Sequence, residues 1–251
     1  MDNERYMNQS ILRALDILEA VGDEEAPISL SQLGRKIGLH KSTVHRLVLS
    51  LESRGWLARN AENGKYRIGV KCMTVGKSRN AKGSFEEIHP LLVRLAEEVR
   101  ETAILSVWDG NEVVCVDLVE APQKIHISSR VGSSFPIYTG GTGFAVLTGM
   151  PEEEAMEILD RIELKAYTPL TLIAREEIRK RYREAKERGY VTSMGQVDPG
   201  VMGIAVPISI PYERYYGSIG VVLPDQRADE QTVSRIIQVL KECAGELQNK
   251  L

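Results

Sequence analysis

The sequence contains few cysteines and no long uncharged hydrophobic run. Its three cysteines, Cys72, Cys115 and Cys243, lie far apart, so they give neither a disulfide framework nor the paired spacing of a structural zinc site. We expect them to be buried, reduced thiols. No segment approaches the roughly 18 apolar residues of a membrane span, and no basic segment followed by an apolar one opens the chain. We therefore expect a cytoplasmic protein.

The motifs of common catalytic and cofactor sites are also missing. The chain has no GxSxG elbow, no HExxH zinc motif and no Walker loop. Its GTG stretch at residues 141–143 lacks the third glycine and the later acidic residue of a dinucleotide-binding fingerprint. Four scattered histidines form no acid–base or metal-binding pattern: His40, His45, His89 and His126. We therefore expect no catalytic residue, no bound metal and no cofactor.

What the sequence does contain is an uneven distribution of charge. The 251 residues carry a formal net charge of −3, and 43% of them are hydrophobic, which is enough for one large core or two modest ones. Residues 28–80 hold 11 basic and two acidic side chains, whereas the rest of the chain holds 21 basic and 33 acidic ones. A compact basic segment is typical of a module that binds a polyanion, and the acidic remainder must serve another purpose.

The chain up to the middle of this basic region predicts three helices. Residues 10–21 carry an apolar stripe of helical period: Ile11, Leu12, Leu15, Ile17 and Leu18. A shorter helix capped by Ser29 or Ser31 is expected next, followed by a turn for which a left-handed Gly38 is suited. A second amphipathic helix over residues 41–54 completes a helix-turn-helix.

The two faces of this second helix differ in chemistry. Its inner face is apolar and consists of Val44, Leu47, Val48 and Leu51. The opposite face carries short hydroxyls and positive charge near the helix N-terminus, and we expect these side chains to contact DNA: Lys41, Ser42, Thr43, His45 and Arg46. A helix N-terminus favours a phosphate, and Arg46 has the reach to contact guanine or a phosphate.

A basic hairpin is predicted immediately after the helix-turn-helix. Two short strand patterns flank Asn63-Gly64, which is a strong turn signal. Four apolar or aromatic side chains are expected to pack inward: Trp56, Leu57, Tyr66 and Ile68. Three cations are expected to project outward along the DNA backbone: Arg59, Lys65 and Arg67. In this order, the elements predict a winged helix-turn-helix that binds double-stranded DNA.

Six segments of the chain resemble the IclR family of transcriptional regulators in order and spacing. The DNA-binding half is similar in QSILRALDILEAV, LSQLGRKIGLHKSTVHRLVLSLESRGWL and GKYRIG. The second half is similar in HPLLVRLAEEVRETAILSVWDGNEVVCVDLVE, SRVGSSFPIYTGGTGFAVL and RGYVTSMGQVDPGVMGIAVPI, so the resemblance spans nearly the whole chain. It implies a linker helix, a GAF-like effector-binding domain, and dimers that pair into tetramers on DNA.

We therefore predict an α+β protein of three parts: a winged helix-turn-helix at residues 1–72, a linker helix at residues 73–83, and an effector-binding and oligomerisation domain at residues 84–251. In the third part the patterns predict a helix over residues 85–101, a hairpin that turns at Asp109-Gly110, and a strand over residues 124–131. Two helices, a second pair of strands and a closing helix follow. Strands in pairs favour a mainly antiparallel sheet covered by helices.

The resemblance also implies nine positions around a ligand in the third part: Ile127, Phe135, Gly141, Thr142, Ser193, Val201, Gly203, Gly220 and Val222. Family members that sense small acids carry an aspartate, a cysteine and two serines where this chain has Ser193, Gly203, Gly220 and Val222. We expect the glycines to leave volume unfilled. The loss of polar groups then favours an aromatic or otherwise extended organic acid over a compact keto acid. Thr142 and free amides at residues 140–143, where a helix opens, remain to receive a carboxylate.

Other interpretations stay open at this point. Residues 140–143 could form a tight turn without a ligand, and the glycines could pack under neighbouring side chains and occlude the pocket. For the whole chain, one candidate is a regulator that binds a palindromic operator as a dimer and responds to a small organic acid. The other candidate is a metabolic enzyme or sensor whose N-terminal module mediates protein contacts. Steeply salt-dependent binding to the chain's own upstream DNA distinguishes them.

Overall fold

The chain folds as two compact units, Met1–Lys82 and Gly83–Leu251. The computed structural model describes residues 7–76, 85–210 and 215–250. Each unit has its own hydrophobic core, with one cluster in the N-terminal unit and two in the C-terminal unit. Among the described residues, no helix is both long and apolar enough to cross a bilayer.

The N-terminal unit is the predicted winged helix-turn-helix. Its described elements are α1 (Gln9–Gly22), α2 (Leu30–Lys36), α3 (Lys41–Ser53), β1 (Leu57–Arg59), β2 (Tyr66–Ile68) and α4 (Val70–Gly76). Ser29 caps α2 and forms a reciprocal capping box with Gln32, which fixes where that helix begins. Gly38 adopts the left-handed conformation, with φ of +67°, in the turn before α3. The first residues of the predicted linker helix lie in α4, and residues 77–83 lie outside the described residues.

Part of the apolar stripe predicted on α1 faces away from the core. Ile17 is fully buried and Leu18 is partly buried, but Ile11 and Leu15 are 60% and 47% exposed, and Leu12 is exposed as well. The core contacts of α1 come from Ile17, Ala20 and Val21, all in the second half of the helix. The first half therefore carries apolar side chains that the described part of this unit does not cover.

The C-terminal unit has an α+β fold of three layers. Its described elements are α5 (Phe85–Val99), β3 (Thr102–Trp108), β4 (Val113–Val119), β5 (Ser134–Phe135), α6 (Thr142–Gly149), α7 (Glu152–Arg161), α8 (Arg175–Arg188), β6 (Val191–Met194), β7 (Val201–Ile210), β8 (Tyr215–Pro224) and α9 (Glu230–Lys250). The strands form one antiparallel sheet in the order β5-β4-β3-β8-β7-β6. Helices α5 and α9 pack on one face, and α6, α7 and α8 pack on the other.

The strands of this unit differ from the prediction at residues 124–131 and at the edge of the sheet. Residues 124–131 form no strand, because side chains rather than a neighbouring strand bind their carbonyls: Thr102 Oγ1 donates to Ile127 O at 3.0 Å, and Arg227 Nη1 donates to Ile125 O at 3.1 Å. The prediction of a strand there is wrong. Strand β6, which sequence patterns missed, instead pairs with β7 at one edge of the sheet.

The three cysteines are free thiols. Cys115 and Cys243 are buried, whereas Cys72 is only partly buried and so departs from the expected full burial. Burial raises the pKa of the Cys115 thiol to about 11 and also raises the pKa of Cys243. Protonated thiols in such places are poor nucleophiles and poor metal ligands. In the ranges that the structure describes, no group of three or more His, Cys, Asp or Glu side chains is arranged to hold a metal ion.

Candidate nucleic-acid interface and ligand cavity

Helix α3 presents a polar face to solvent at its N-terminal end. Val44 and Val48 are buried, and Leu47 and Leu51 pack against the same core, so the inner face lies as predicted. The predicted contact residues of this helix lie on the outer side: Lys41, Ser42, His45 and Arg46 are exposed, and Thr43 is partly exposed. Packing of the inner face therefore fixes which side chains reach a partner in front of the helix.

His40, which sequence reasoning did not select, caps the N-terminus of α3. Its Nδ1 accepts a hydrogen bond from Ser42 N at 3.4 Å and lies 2.8 Å from Ser42 Oγ. Because Nδ1 acts as an acceptor here, the Ser42 hydroxyl donates its proton to the ring, and a phosphate must compete with His40 for that proton. Histidine is not among the preferred N-cap residues, so the sequence alone did not indicate that His40 caps α3.

The β1–β2 hairpin forms the wing. Leu57 and Tyr66 are buried beneath it, and Trp56 and Ile68 are partly buried, as predicted. The turn is ordered by Asn60, whose Oδ1 accepts hydrogen bonds from Glu62 N and Asn63 N.

The three cations of the wing differ in exposure. Arg67 is exposed and Lys65 is partly exposed. Arg59 is exposed, and its guanidinium carbon lies 5.9 Å from the centre of the Tyr66 ring. This distance is at the outer limit of a cation–π contact, which places Arg59 beside the hairpin.

Cations of α3 and the wing differ from Lys36 of α2 in their acidic neighbours. Among the described residues, no carboxylate forms an ion pair with any of the five: Lys41, Arg46, Arg59, Lys65 and Arg67. Lys36 on α2 is different, since its ammonium lies 3.0 Å from Glu24 and 3.5 Å from Asp23, and the hydrogen bond to Glu24 is the main cause of its raised pKa. The positive charge of α3 and the wing is therefore available to a polyanion.

A cavity of about 140 Å³ lies in the C-terminal unit beside the N-terminus of α6; we refer to it as the α6 cavity. Eight of the nine positions that the resemblance implied line it together: Ile127, Phe135, Gly141, Thr142, Ser193, Val201, Gly203 and Val222. Gly220 does not line it. Gly140, which belongs to the predicted anion-binding stretch 140–143, also lines the cavity. The wall further contains residues that sequence reasoning missed: Ile104, Ser128, Ser129, Gln196, Val197 and Asp198.

The N-terminus of α6 supplies polar groups to this cavity. Gly141 occupies the N-cap position and no side chain caps the helix, so backbone amides of its first turn have no partner within the helix. Ser218 Oγ of β8 donates to Thr142 O at 2.9 Å, which ties this end of the helix to the sheet. Such an uncapped helix N-terminus favours a carboxylate or another anion.

The expectation that Gly203 and Gly220 leave empty volume is wrong. A Cβ atom on Gly220 would lie 2.5 Å from Thr142 Cγ2 and 3.0 Å from the Ala205 Cβ, so Thr142 already occupies that space. A Cβ on Gly203 would lie 3.2 Å from the backbone nitrogen of Gly141. These glycines admit helix α6 close to the sheet, and the cavity lies beside them. The site is nevertheless not closed, since the α6 cavity remains.

A basic winged helix-turn-helix joined to a ligand-binding α+β unit defines the class of one-component DNA-binding regulators. Residues 10–61 match the IclR helix-turn-helix domain, and residues 82–249 match the domain described as "Bacterial transcriptional regulator IclR C-terminal". The chain belongs to the IclR family. It is a DNA-binding transcriptional regulator with a C-terminal effector-binding domain.

Similar proteins agree with this assignment along the whole chain. The HTH-type transcriptional regulator Rv1719 of Mycobacterium tuberculosis is 31% identical over 222 residues, covering 83% of this chain and 85% of that protein. The transcriptional repressor IclR of Escherichia coli is 27% identical over 242 residues, covering 95% of this chain and 88% of that protein. The crystal structure of an IclR homologue from Microbacterium hydrocarbonoxydans, complexed with 4-hydroxybenzoate, is 26% identical with a TM-score of 0.79 and covers 96% of this chain and 98% of that one.

Proposed function

We propose that α3 and the wing bind an operator, with α3 in the major groove and the wing along the flanking phosphates. The residues that make contact are Lys41, Ser42, Thr43, His45, Arg46, Arg59, Lys65 and Arg67. The observation that carries this assignment is the absence, among the described residues, of a carboxylate partner for any of the five cations in this set. Phosphate contacts then supply most of the affinity, and side chains at the start of α3 supply specificity.

The operator is a palindrome and the binding species is a homodimer, which pairs again into a tetramer. A single recognition helix reads only a few base pairs, whereas a two-fold pair reads two half-sites. The exposed apolar side chains on α1 support a dimer interface with a second copy of the chain. Ile11, Leu12 and Leu15 contribute no hydrophobic stabilisation while they face water, and a second copy would bury them. Val70 and Met73 of α4 are further exposed apolar side chains of the same unit, at 69% and 59% exposure.

The effector is an aromatic or otherwise extended organic acid bound in the α6 cavity. Cavities of about 150 Å³ with apolar walls accept a benzene ring, and the α6 cavity is of that size. Ile104, Phe135 and Val222 offer apolar contacts, while Thr142 and the free amides at the start of α6 offer donors to a carboxylate. The relative bound to 4-hydroxybenzoate supports this ligand class.

The effector modulates operator affinity when it binds in the C-terminal unit. We assign residues 1–72 to DNA binding, residues 73–83 to the linker helix and residues 84–251 to effector binding and oligomerisation. The protein acts in the cytoplasm, where it meets both the operator and a metabolite.

Titration of the chain's own upstream DNA with the full-length protein tests the first part of this proposal. We expect a retarded complex in dilute buffer, competed poorly by unrelated DNA. Isothermal titration with 4-hydroxybenzoate, benzoate, pyruvate and glyoxylate tests the second part, and the aromatic acids should bind more tightly and change the DNA titration. Binding of pyruvate or glyoxylate alone would contradict the ligand class. Failure to retard any genomic fragment would contradict operator binding.

A further inference from the structure

An arginine that pairs with no carboxylate of the described residues lies behind the wall of the α6 cavity. Arg181 of α8 donates to Gln196 Oε1 at 2.7 Å and to Thr192 O at 3.0 Å. Its guanidinium carbon lies 4.2 Å from the centre of the fully buried Phe144 ring. Arg181 therefore contacts α6, β6 and the segment that follows β6, and through Gln196 it is one side chain removed from the cavity.

The charge of Arg181 has no anionic counterpart in the described part of the chain. Its helix neighbours Arg179 and Arg183 pair with acidic side chains, whereas Arg181 hydrogen-bonds only carbonyl oxygens. Burial, with a smaller contribution from Arg188, lowers the pKa of the Arg181 guanidinium to about 10, so it stays protonated at neutral pH. A desolvated positive charge raises the affinity of nearby space for an anion.

The hydrogen bonds of Gln196 fix the orientation of its amide. A guanidinium can only donate, so the atom that faces Arg181 must be the amide oxygen. The same oxygen accepts from Ser193 Oγ at 3.3 Å, and Gln196 and Ser193 both line the cavity. Within the described residues, the amide nitrogen of Gln196 has no acceptor. Its two protons are therefore unused in a residue that a ligand in the cavity can touch.

We propose that Gln196, held by Arg181, donates a hydrogen bond to the anionic group of the effector, and that Arg181 makes the α6 cavity select anions over neutral molecules of the same shape. This rests on the proposed function of the cavity and deepens it. Gln196 is the contact residue and Arg181 is a positioning residue. The acid in the cavity wall, Asp198, is exposed to water, which screens its repulsion of an anion.

Replacing the Gln196 amide by a carboxylate distinguishes a role in ligand binding from a purely structural role. In Gln196→Glu, the new carboxylate keeps the size of the side chain, pairs with Arg181, and leaves no amide donor. If Arg181 and Gln196 only hold the segment in place, the stronger pair should preserve or tighten ligand binding. If Arg181 and Gln196 select an anion, the variant should bind an anionic ligand more weakly. The new carboxylate neutralises the charge of Arg181 and itself faces the ligand.

The experiment measures benzoate and benzamide binding to the full-length protein by isothermal titration, with thermal unfolding of each variant. We expect the wild type to bind benzoate at least about tenfold more tightly than benzamide. Gln196→Glu should lower the affinity for benzoate by at least about tenfold and change the affinity for benzamide by less than about threefold. Its melting temperature should be no lower than that of the wild type. Arg183→Gln removes an exposed cation of the same helix as a matched control, and it should bind both ligands as the wild type does.

The outcomes separate this inference from the function on which it rests. If Gln196→Glu is folded and binds benzoate as tightly as the wild type, the role of Gln196 is overturned while the cavity keeps its function. If the wild type binds neither ligand, the inference and the aromatic effector class are both overturned, and operator binding is unaffected. If Gln196→Glu does not fold, the same titrations are made with Gln196→Met, which also removes the amide donor. Retained preference for benzoate in that variant overturns the inference.

Discussion

The two units of the chain differ in how their positive charges are compensated. In α3 and the wing, Lys41, Arg46 and Arg67 have no carboxylate within ion-pair distance among the described residues. In the C-terminal unit many arginines pair with acids of the same unit: Arg94 with Glu246, Arg179 with Asp160, Arg183 with Glu152, and Arg227 with Glu101. In our proposal, cations of α3 and the wing bind DNA, whereas these four arginines stabilise the fold of their own unit.

This difference has a physical consequence for partner choice. A cation without an internal partner binds an external phosphate without first breaking an ion pair. A cation that is already paired adds little attraction, and the excess acid of the C-terminal unit repels DNA. Among the described residues Arg181 has no such acidic partner, and its hydrogen bond to Gln196 connects it with the wall of the α6 cavity.

The largest expected effect is on stability when a buried acid of the C-terminal unit loses its partner. Glu101 is 3% exposed and accepts two hydrogen bonds of 2.6 Å from Arg227. Arg227→Ala leaves this carboxylate buried without a cation, so we expect a loss of about 2 to 3 kcal/mol in the free energy of unfolding. The Arg94–Glu246 pair is exposed, and Arg94→Ala should cost less than about 1 kcal/mol. Urea denaturation measures both, and equal losses would contradict the distinction.

Next in size is the effect of removing an unpaired cation from α3. Arg46→Ala should lower operator affinity by about 1 to 3 kcal/mol and relax the base preference at one position. Lys36→Ala removes a paired cation of the neighbouring helix and should change affinity much less. Fluorescence anisotropy on a fixed operator gives both values. Indistinguishable losses in the two variants would mean that ion pairing does not identify the DNA-binding cations.

A smaller and less specific effect is expected in the wing. Arg67 is exposed on β2, where it faces phosphate rather than bases in our assignment. Arg67→Ala should weaken operator and random DNA about equally, and it should reduce the salt slope by about 1 per protomer. Titrations of both DNAs at several salt concentrations measure this. Loss of operator preference alone would place Arg67 at a base instead.

The smallest effect is expected for a paired cation of the C-terminal unit. Arg183 is exposed and bonds Glu152 at 3.2 Å. Arg183→Ala should leave operator affinity within about twofold and the unfolding free energy within about 0.5 kcal/mol. Anisotropy and urea denaturation together check this. A loss of DNA affinity as large as that of Arg46→Ala would extend the DNA-binding surface into this unit.

The sequence predicted the N-terminal unit well because its signals are local. The period of Val44, Leu47, Val48 and Leu51 set the inner face of α3, and Asn63-Gly64 marked the turn of the wing. The apolar stripe predicted α1 as a helix, but a stripe does not say whether the surface that covers it lies in the same unit or elsewhere. Residues 124–131 look like a strand, but Thr102 and Arg227 occupy carbonyls there, which only the tertiary structure reveals.

The α6 cavity was predicted less completely because it depends on distant segments. The resemblance supplied positions such as Thr142 and Ser193, but not Gln196, whose segment carries no periodic pattern. Arg181 on α8 could not be connected with Gln196, since their contact arises from the packing of α8 against β6. Gly220 was interpreted wrongly, because the atom that fills its space, Thr142 Cγ2, comes from a helix whose position the sequence does not give.

The salt dependence of operator affinity tests most directly whether the unpaired cations of α3 and the wing bind DNA. Each neutralised phosphate contributes about −0.9 to the slope of log affinity against log salt concentration. We predict a slope steeper than about −4 for the full-length protein, and a shallower one for Arg46→Ala combined with Arg67→Ala. A slope near zero, or the same slope in that double variant, would contradict the assignment.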